Sequence, residues 1–250
     1  MNECRRERYK LMHTKRLRYW LKQRLSWIVV PIRSGPLKGQ RFGLFTGVRF
    51  LRGNYGKGED TTIAQLIKPG DIVFDIGAHV GYITMLASHL VGTGRVMAFE
   101  PSPLNLAYLT RHVRINRLTN VEVFTTAVGL RKGQTSFDMT SRGSGRGRMT
   151  ANVTNNQPQV QINSLDDMHD QGRLPDPNFI KMDVEGAEGD ALRGAAKMLA
   201  RSHPTILLSV HGPAAKQDCE ALLRGLGYEL SYIKPSTMIA KPARTQGIID

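Results

Sequence analysis

The sequence predicts an α/β domain with a doubly wound, mostly parallel sheet, preceded by a basic N-terminal helical extension. From residue 61 onward, apolar strand patterns alternate with amphipathic helix patterns, which is typical of this fold class. The strands are continuous apolar runs, as expected of a sheet covered on both faces. The extension is predicted from the uneven charge. A chain of 250 residues is long enough for one such domain with an appendage.

The positive charge is concentrated near the N-terminus. The formal net charge is +14, and residues 1–58 hold 15 of the 35 Lys and Arg but only two of the 21 acidic residues. The remainder is close to neutral. We therefore predict an extension at 1–58, formed by a helix and a small hairpin or loop region, and a main domain at 59–250.

The extension contains a basic helix pattern at 4–24, followed by a five-residue apolar stretch at 27–31. That stretch is far shorter than the roughly 20 residues that span a bilayer. The helix in residues 1–30 is suited to an anionic membrane surface, or it is a solvated helix that packs loosely or dimerises. No secretory signal pattern is present, and Cys4 and Cys219 form no disulfide framework. We expect a cytoplasmic protein, peripheral to the inner face of a membrane if the helix binds lipid; the oligomeric state is not predicted.

Helices and strands alternate along the main domain. The predicted helices lie at 63–67, 83–91, 106–113, 191–199 and 215–226. The predicted strands lie at 72–76, 95–99, 121–128, 179–183, 205–211 and 228–233, with a weak last strand at 238–240. Polar, glycine-rich sequence at 129–178 interrupts this alternation, and we interpret it as an inserted pair of strands carrying a loop.

Ligands of doubly wound sheets bind beyond the carboxyl ends of the strands. This rule directs attention to five residues at predicted strand ends: Asp75, Glu100, Ala127, Asp183 and His211.

A glycine loop follows the first core strand, with the pattern Asp75-x-Gly77-x-His79-x-Gly81. Its glycines permit a tight turn and close backbone approach. Glu100 ends the next strand, where a carboxylate accepts hydrogen bonds from ribose hydroxyls. The loop fails the G-x-G-x-x-G dinucleotide pattern at its second and third glycines. An acid two residues before the first glycine instead suits a cofactor with an amino-acid group and a sulfonium charge.

Four segments resemble the FkbM family of methyltransferases in order and spacing: VFDIGAHVGYITMLAS, VMAFEPSP, TTAVG and FIKMDVEGAE. The resemblance covers about residues 59–212. It implies the seven-stranded, Rossmann-like class I methyltransferase fold and S-adenosyl-L-methionine as methyl donor. It also implies O-methylation of a hydroxyl on a sugar, glycan or secondary metabolite.

The resemblance also implies site residues. The positions that would bind the cofactor are Asp75, Gly77, Ala78, His79, Gly81, Glu100, Ala127 and Asp183, the last facing the methyl group. The sequence departs from the family at position 79, where His replaces the usual Asn. It departs again at Ser209, where the family usually carries Glu.

Methyl transfer to a hydroxyl requires alignment of the acceptor and removal of a proton. We assign Asp183 to orienting the hydroxyl or the base, and His211 to accepting the proton, because the pKa of His lies near neutrality. The alternative is that His211 is only a polar strand terminus. The loop at 141–148 (SRGSGRGR) is either a lid that grips an anionic substrate or a solvated loop.

The acidic residues from Asp183 to Asp190 also invite a magnesium interpretation. However, Glu188 and Asp190 lie in the early turns of a predicted helix, where acids interact favourably with the helix dipole. We therefore expect no metal.

Two other functions stay open. One is an RNA methyltransferase that uses the basic N-terminus as an arm, although the neutral main domain and the lack of an RNA-binding motif argue against nucleic acid. The other is a membrane-peripheral binding protein with a degenerate methyltransferase fold. The intact set Asp75, Gly77, Gly81 and Glu100 argues against the second.

Overall fold

The structure is a computed structural model that describes residues 28–44, 46–53, 56, 58–138, 148–150 and 159–243. The predicted basic helix at 4–24 and residues 141–147 of the arginine-rich loop lie outside these ranges. The chain forms two compact units, residues 1–55 and 56–250. Among the described residues, no helix has both the length and the apolar character needed to cross a bilayer.

The first unit contains a small antiparallel hairpin. Its strands are β1 (Val29–Pro31) and β2 (Arg41–Gly43), and a short helix, α1 (Val48–Leu51), follows. Phe42 and Phe50 are buried, with their ring centroids 5.7 Å apart in an edge-on arrangement. This aromatic pair packs the hairpin against the helix that follows it.

The main sheet of the second unit has seven strands. They are β3 (Ile72–Ile76), β4 (Arg95–Phe99), β5 (Val121–Phe124), β10 (Phe179–Met182), β11 (Thr205–Ser209), β12 (Tyr228–Lys234) and β13 (Thr237–Pro242). Their order across the sheet is β12-β13-β11-β10-β3-β4-β5. The five strands from β11 to β5 are parallel. The class I fold and the mostly parallel sheet predicted from the sequence are therefore confirmed.

The order of the parallel strands reverses between β3 and β10. The chain runs outward from β3 to β4 and β5, then returns to β10 on the other side of β3. A crevice forms at such a reversal because successive connections leave toward opposite faces of the sheet. The loops after β3 and β10 therefore border the expected ligand position.

Helices cover the sheet. They are α2 (Glu59–Leu66), α3 (Tyr82–Val91), α4 (Pro103–Ile115), α6 (Glu188–Arg193), α7 (Ala196–Ser202) and α8 (Pro213–Gly225). The core beneath them includes one phenylalanine from each of β3, β4 and β5. The Phe74 and Phe99 ring centroids lie 5.7 Å apart, and those of Phe99 and Phe124 lie 4.9 Å apart.

The predicted strand at 121–128 is wrong as a single element. After β5 the chain leaves the main sheet and forms β6 (Ala127–Val128). This strand belongs to a four-stranded sheet with β7 (Gly133–Asp138), β8 (Arg148–Thr150) and β9 (Gln159–Asn163), in the order β6-β9-β7-β8. The insertion thus has more structure than the predicted pair of strands. It also contains a helix that was not predicted, α5 (Leu165–Asp170).

The predicted helix at 191–199 is also wrong as a single element, because it is divided between α6 and α7. A Cβ on Gly194 would lie 2.1 Å from the carbonyl oxygen of Gly129, so the main chains of the two segments touch. The predicted weak last strand is β13, which lies inside the sheet between β11 and β12 and is antiparallel to both. It is an inner strand because both of its edges are paired, which its short apolar pattern did not indicate.

Candidate active site

The loop after β3 has the backbone of a tight turn. Gly77, His79 and Gly81 have φ values of 78°, 53° and 89°. A Cβ on Gly77 would lie 2.0 Å from the carbonyl oxygen of Asp183, and one on Gly81 would lie 2.7 Å from a methyl carbon of Leu109. Only glycine therefore fits at these two positions, for conformation as well as for space.

His79 takes a left-handed conformation that ordinary side chains avoid. Asn, Asp and His are enriched there relative to other non-glycine residues. His in place of the family's usual Asn is thus compatible with the turn. The main-chain N–H of His79 donates to Oε2 of Glu100 at 2.8 Å, a contact that does not depend on the side chain.

Glu100 lies directly after β4 and is almost fully buried. Its Oε1 accepts hydrogen bonds from the Ser102 N–H at 2.8 Å and from Nδ2 of Asn105 at 3.3 Å. Burial raises the pKa of Glu100, and these hydrogen bonds offset only part of that effect. A buried acceptor beside the glycine loop can receive hydrogen bonds from a ribose, as the sequence predicts.

Asp75 stabilises the loop from within the sheet. It is fully buried within β3, and its Oδ2 accepts a hydrogen bond from Oγ1 of Thr84 at 2.6 Å. Nζ of Lys181, on neighbouring β10, lies 3.3 Å from Oδ1 of Asp75 and donates to the Gly77 carbonyl at 2.8 Å. These contacts orient the carboxylate of Asp75 toward Lys181 and Thr84. Asp75 therefore acts on the loop indirectly, through these two residues.

Two further predicted cofactor positions, Ala78 and Ala127, are apolar and buried. The N–H of Ala78 donates to the carbonyl of Phe99 at 3.0 Å, which joins the loop to the end of β4. Ala127 lies in β6 rather than at the end of a core strand, and it is paired with Ile162 of β9. It remains close in sequence to the carboxyl end of β5.

Acidic residues surround His211 at the carboxyl ends of β10 and β11. Asp183 follows β10 and His211 follows β11, so the parallel strands bring them to the same edge of the sheet. Nε2 of His211 lies 3.7 Å from Oδ1 of Asp183 and 3.4 Å from Oε2 of Glu185. Nδ1 lies 2.8 Å from Oε1 of Glu188. The structure thus brings together the predicted pair of Asp183 and His211.

The charges in this group act on one another. The hydrogen bond to Glu188 raises the pKa of His211 despite the opposing effect of burial, and the charges of Asp183 and Glu185 add to the increase. Burial would raise the pKa of Glu188, but the hydrogen bonds from His211 and from the Gly186 N–H outweigh it and lower that pKa.

Asp183, Glu185 and His211 each offer a ligand-type atom, and these atoms lie within 4.8 Å of one another. Among the described residues, these three form the group that could bind a cation together. This group differs from the acidic residues between Asp183 and Asp190 that we considered from the sequence as a magnesium site and set aside. Asp190 is exposed and pairs with Arg193 at 3.4 Å, while Glu188 is buried against His211. A protonated imidazole supplies positive charge at the same place without an ion.

Sequence reasoning missed Lys181 and underestimated Glu188. A lysine inside the apolar strand pattern FIKM was a signal that it has a buried partner, since lysine is almost never fully buried unpaired. Glu188 gave no such signal, because its position in a first helical turn already explained an acid. Its contact with His211 joins residues from two separate elements.

The seven-stranded, mostly parallel sheet, with a glycine loop after β3 and a buried carboxylate after β4, has the architecture of a class I methyltransferase. A family model, Methyltransferase FkbM domain, matches residues 75–230, which is more than half of the chain. The chain belongs to this family and is a methyltransferase. S-adenosylmethionine is the cofactor expected of it.

Two curated relatives are similar in sequence. A hexuronic acid methyltransferase of Haloferax volcanii is 26% identical over 200 residues, covering 77% of this chain and 76% of the relative. A methyltransferase of Beauveria bassiana is 24% identical over 144 residues, covering 49% of this chain and 57% of the relative.

A solved structure of an FkbM methyltransferase from Methylobacillus flagellatus matches the fold, with a TM-score of 0.53 and 19% identity. The match covers 73% of this chain and 50% of that one. This likeness supports the fold alone.

Proposed function

We propose that this protein transfers the methyl group of S-adenosylmethionine to a hydroxyl of a sugar, as a free molecule or within a glycan. The observation that carries the proposal is the contact between the two halves of the site. The main chain of Gly77, in the cofactor loop, packs directly on the main chain of Asp183, at the acidic edge. A donor held by the loop and an acceptor held by Asp183 would therefore be neighbours. The hexuronic acid specificity of the Haloferax relative supports a sugar acceptor.

The residues of the loop fit such a cofactor. Gly77 and Gly81 allow the tight turn that brings the main chain of the loop against Asp183 and Leu109, and Glu100 presents a buried acceptor beside this loop. S-adenosylmethionine, when bound, supplies a methyl group on a positively charged sulfur. Glu100 would hold the ribose hydroxyls, and the main chain at 77–79 would line the amino-acid portion. Asp183 would lie toward the methyl group.

The acceptor side favours a neutral hydroxyl over a carboxylate. Asp183 and Glu185 would repel a carboxylate of the substrate, whereas a hydroxyl can donate its hydrogen bond to Asp183. As the oxygen bonds to the methyl carbon, its proton would pass to Nε2 of His211. Orientation and proton removal are the two contributions that this reaction needs from the protein.

The chemical stability of the product tests this proposal. The protein would be incubated with methyl-labelled S-adenosylmethionine and a glycan that contains a hexuronic acid. Methylation of a hydroxyl gives an ether that survives mild alkali, whereas methylation of the carboxylate gives an ester that alkali hydrolyses. We expect an alkali-stable label that is strongly reduced in Asp183→Asn and His211→Gln. A label fully released by alkali would contradict the hydroxyl assignment.

A further inference from the structure

Two acidic residues in the first turn of α6 have different surroundings. Asp190 is exposed and pairs with Arg193. Glu188 begins the helix but is fully buried, with its carboxylate against His211. Favourable interaction with the helix dipole accounts for Asp190. It does not account for the burial of Glu188, because a carboxylate could interact with the dipole while remaining in water.

The contacts of Glu188 fix the proton on one nitrogen of His211. Oε1 of Glu188 lies 2.8 Å from Nδ1 of His211 and accepts from the N–H of Gly186 at 2.9 Å. The pKa of Glu188 is lowered, so the group is an ionised carboxylate that can only accept. Nδ1 must therefore carry a hydrogen. In the neutral imidazole, Nε2 is then the nitrogen with a free lone pair.

Nε2 is held less tightly than Nδ1. Its distances of 3.4 Å to Glu185 and 3.7 Å to Asp183 exceed the roughly 2.7–2.9 Å of strong charge-assisted hydrogen bonds. The side chain of His211 is 34% exposed, whereas that of Glu188 is fully buried. One nitrogen of the ring is thus anchored inside the protein and the other lies at the acidic edge of the site.

We propose that Glu188 is a positioning residue that holds His211 in the tautomer and orientation in which Nε2 accepts the proton of the acceptor hydroxyl. This inference rests on the proposed function. The bond from the hydroxyl oxygen to the methyl carbon forms, and the carbon–sulfur bond breaks with its electron pair left on sulfur. The O–H proton passes to Nε2. Nδ1 keeps its hydrogen and donates it to the carboxylate of Glu188, which stabilises the imidazolium, and the new proton later leaves to solvent.

The charged groups that face His211 determine the pH dependence. They are Asp183 and Glu185, from the turn after β10, and Glu188, from α6. Only the neutral imidazole accepts a proton, so activity rises with pH through the pKa of His211. Removing the negative charge of Glu188 lowers that pKa. The acidic limb of the activity profile should therefore move to lower pH.

The experiment compares Glu188→Gln with Asp190→Asn in the full chain. Both substitutions remove one negative charge from the same helical turn. In Glu188→Gln we expect kcat to fall about 100-fold, the lower end of what a positioned base contributes, with its acidic limb at lower pH and unchanged affinity for S-adenosylmethionine. In Asp190→Asn we expect wild-type kcat and wild-type pH dependence. Equal effects of the two substitutions would show that Glu188 only stabilises the helix end.

Nuclear magnetic resonance of the imidazole nitrogens gives a second measurement that needs neither turnover nor an altered Glu188. The His211 signals are assigned with His211→Gln. Above its pKa, wild-type His211 should carry its hydrogen on Nδ1; a hydrogen on Nε2 would overturn the proposal. If His211 shows the predicted tautomer but the protein methylates no sugar, the proposed function is contradicted. The positioning of His211 by Glu188 is then still supported.

Discussion

Two fully buried carboxylates, Asp75 and Glu188, support the site through an ionisable partner. Asp75 is paired with Lys181 beside the glycine loop after β3, and Glu188 is paired with His211 beyond the carboxyl end of β11. An isolated buried charge is costly, so the burial of each carboxylate depends on its partner. Each pair also joins two separate elements. Substitution of one partner should consequently affect both stability and the position of the other.

Glu100 is the residue whose loss should most directly weaken cofactor binding. Glu100→Gln keeps the size of the side chain but replaces one acceptor oxygen by a donor, so it competes poorly for ribose hydroxyls and for the His79 N–H. We expect the affinity for S-adenosylmethionine to fall at least about tenfold, which corresponds to roughly 1.4 kcal/mol. Glu122→Gln is the control, because Glu122 is half-exposed on β5 and pairs with Arg95 at 3.2 Å. Calorimetric titration measures both; equal affinities in the two variants would refute the assignment.

Lys181→Met should destabilise the protein strongly. The substitution leaves Asp75 buried without its cation and frees the Gly77 carbonyl, so we expect a loss of about 3–5 kcal/mol in the free energy of unfolding. The control is Lys197→Met, since the side chain of Lys197 is 74% exposed and its ion pair with Asp170 spans 3.5 Å. That change should alter the free energy by less than about 1 kcal/mol. Urea denaturation compares them, and similar small losses would mean that the buried pair does not stabilise the loop.

At the scale of whole elements, the helices and strands that were predicted correctly are those determined by local sequence pattern. The β3–loop–α3 unit was predicted because an apolar run, glycines and a helical stripe follow one another without interruption. The break between β5 and β6 was not, because 121–128 is apolar enough for one strand and the change of sheet depends on pairing with β9. The Glu188–His211 contact was not predicted for the same reason. It forms between a helix and a strand end that are distant in the chain and unrelated in pattern.

The break between α6 and α7 gives a prediction at this scale. Gly194 packs on the main chain of Gly129, so Gly194→Ala should force the two segments apart. We expect the free energy of unfolding to fall by about 1–3 kcal/mol. Gly225 ends α8 and has no atom within 4 Å of its Cβ position. Gly225→Ala should leave stability unchanged or raise it by up to about 1 kcal/mol. Thermal denaturation distinguishes the two, and equal melting temperatures would show that the Gly129 segment moves away freely.

For the molecule as a whole, a buried histidine makes stability depend on pH. His112, in α4, is fully buried, and its Nδ1 donates to the carbonyl of Val80 at 2.7 Å, which ties the helix to the end of the cofactor loop. Burial lowers the pKa of His112 to about 4, and this effect exceeds the opposing one of the hydrogen bond. The unfolded chain, with a His pKa of about 6.5, therefore binds a proton more readily than the folded one.

The sign of the effect follows from this difference. The contribution of neutral His112 to the free energy of unfolding is complete above about pH 6.5. It is lost as the pH falls toward about 4, because protons then favour the unfolded state. The fall in pKa from 6.5 to about 4 corresponds to about 3 kcal/mol. His112→Gln keeps a donor for the Val80 carbonyl but cannot titrate. Urea denaturation at steps between pH 7 and 4 should give a free energy of unfolding that declines about 3 kcal/mol further in the wild type than in the variant. Other titrating groups are common to both proteins and cancel, so parallel curves would show that His112 is already protonated in the folded state or still neutral in the unfolded one.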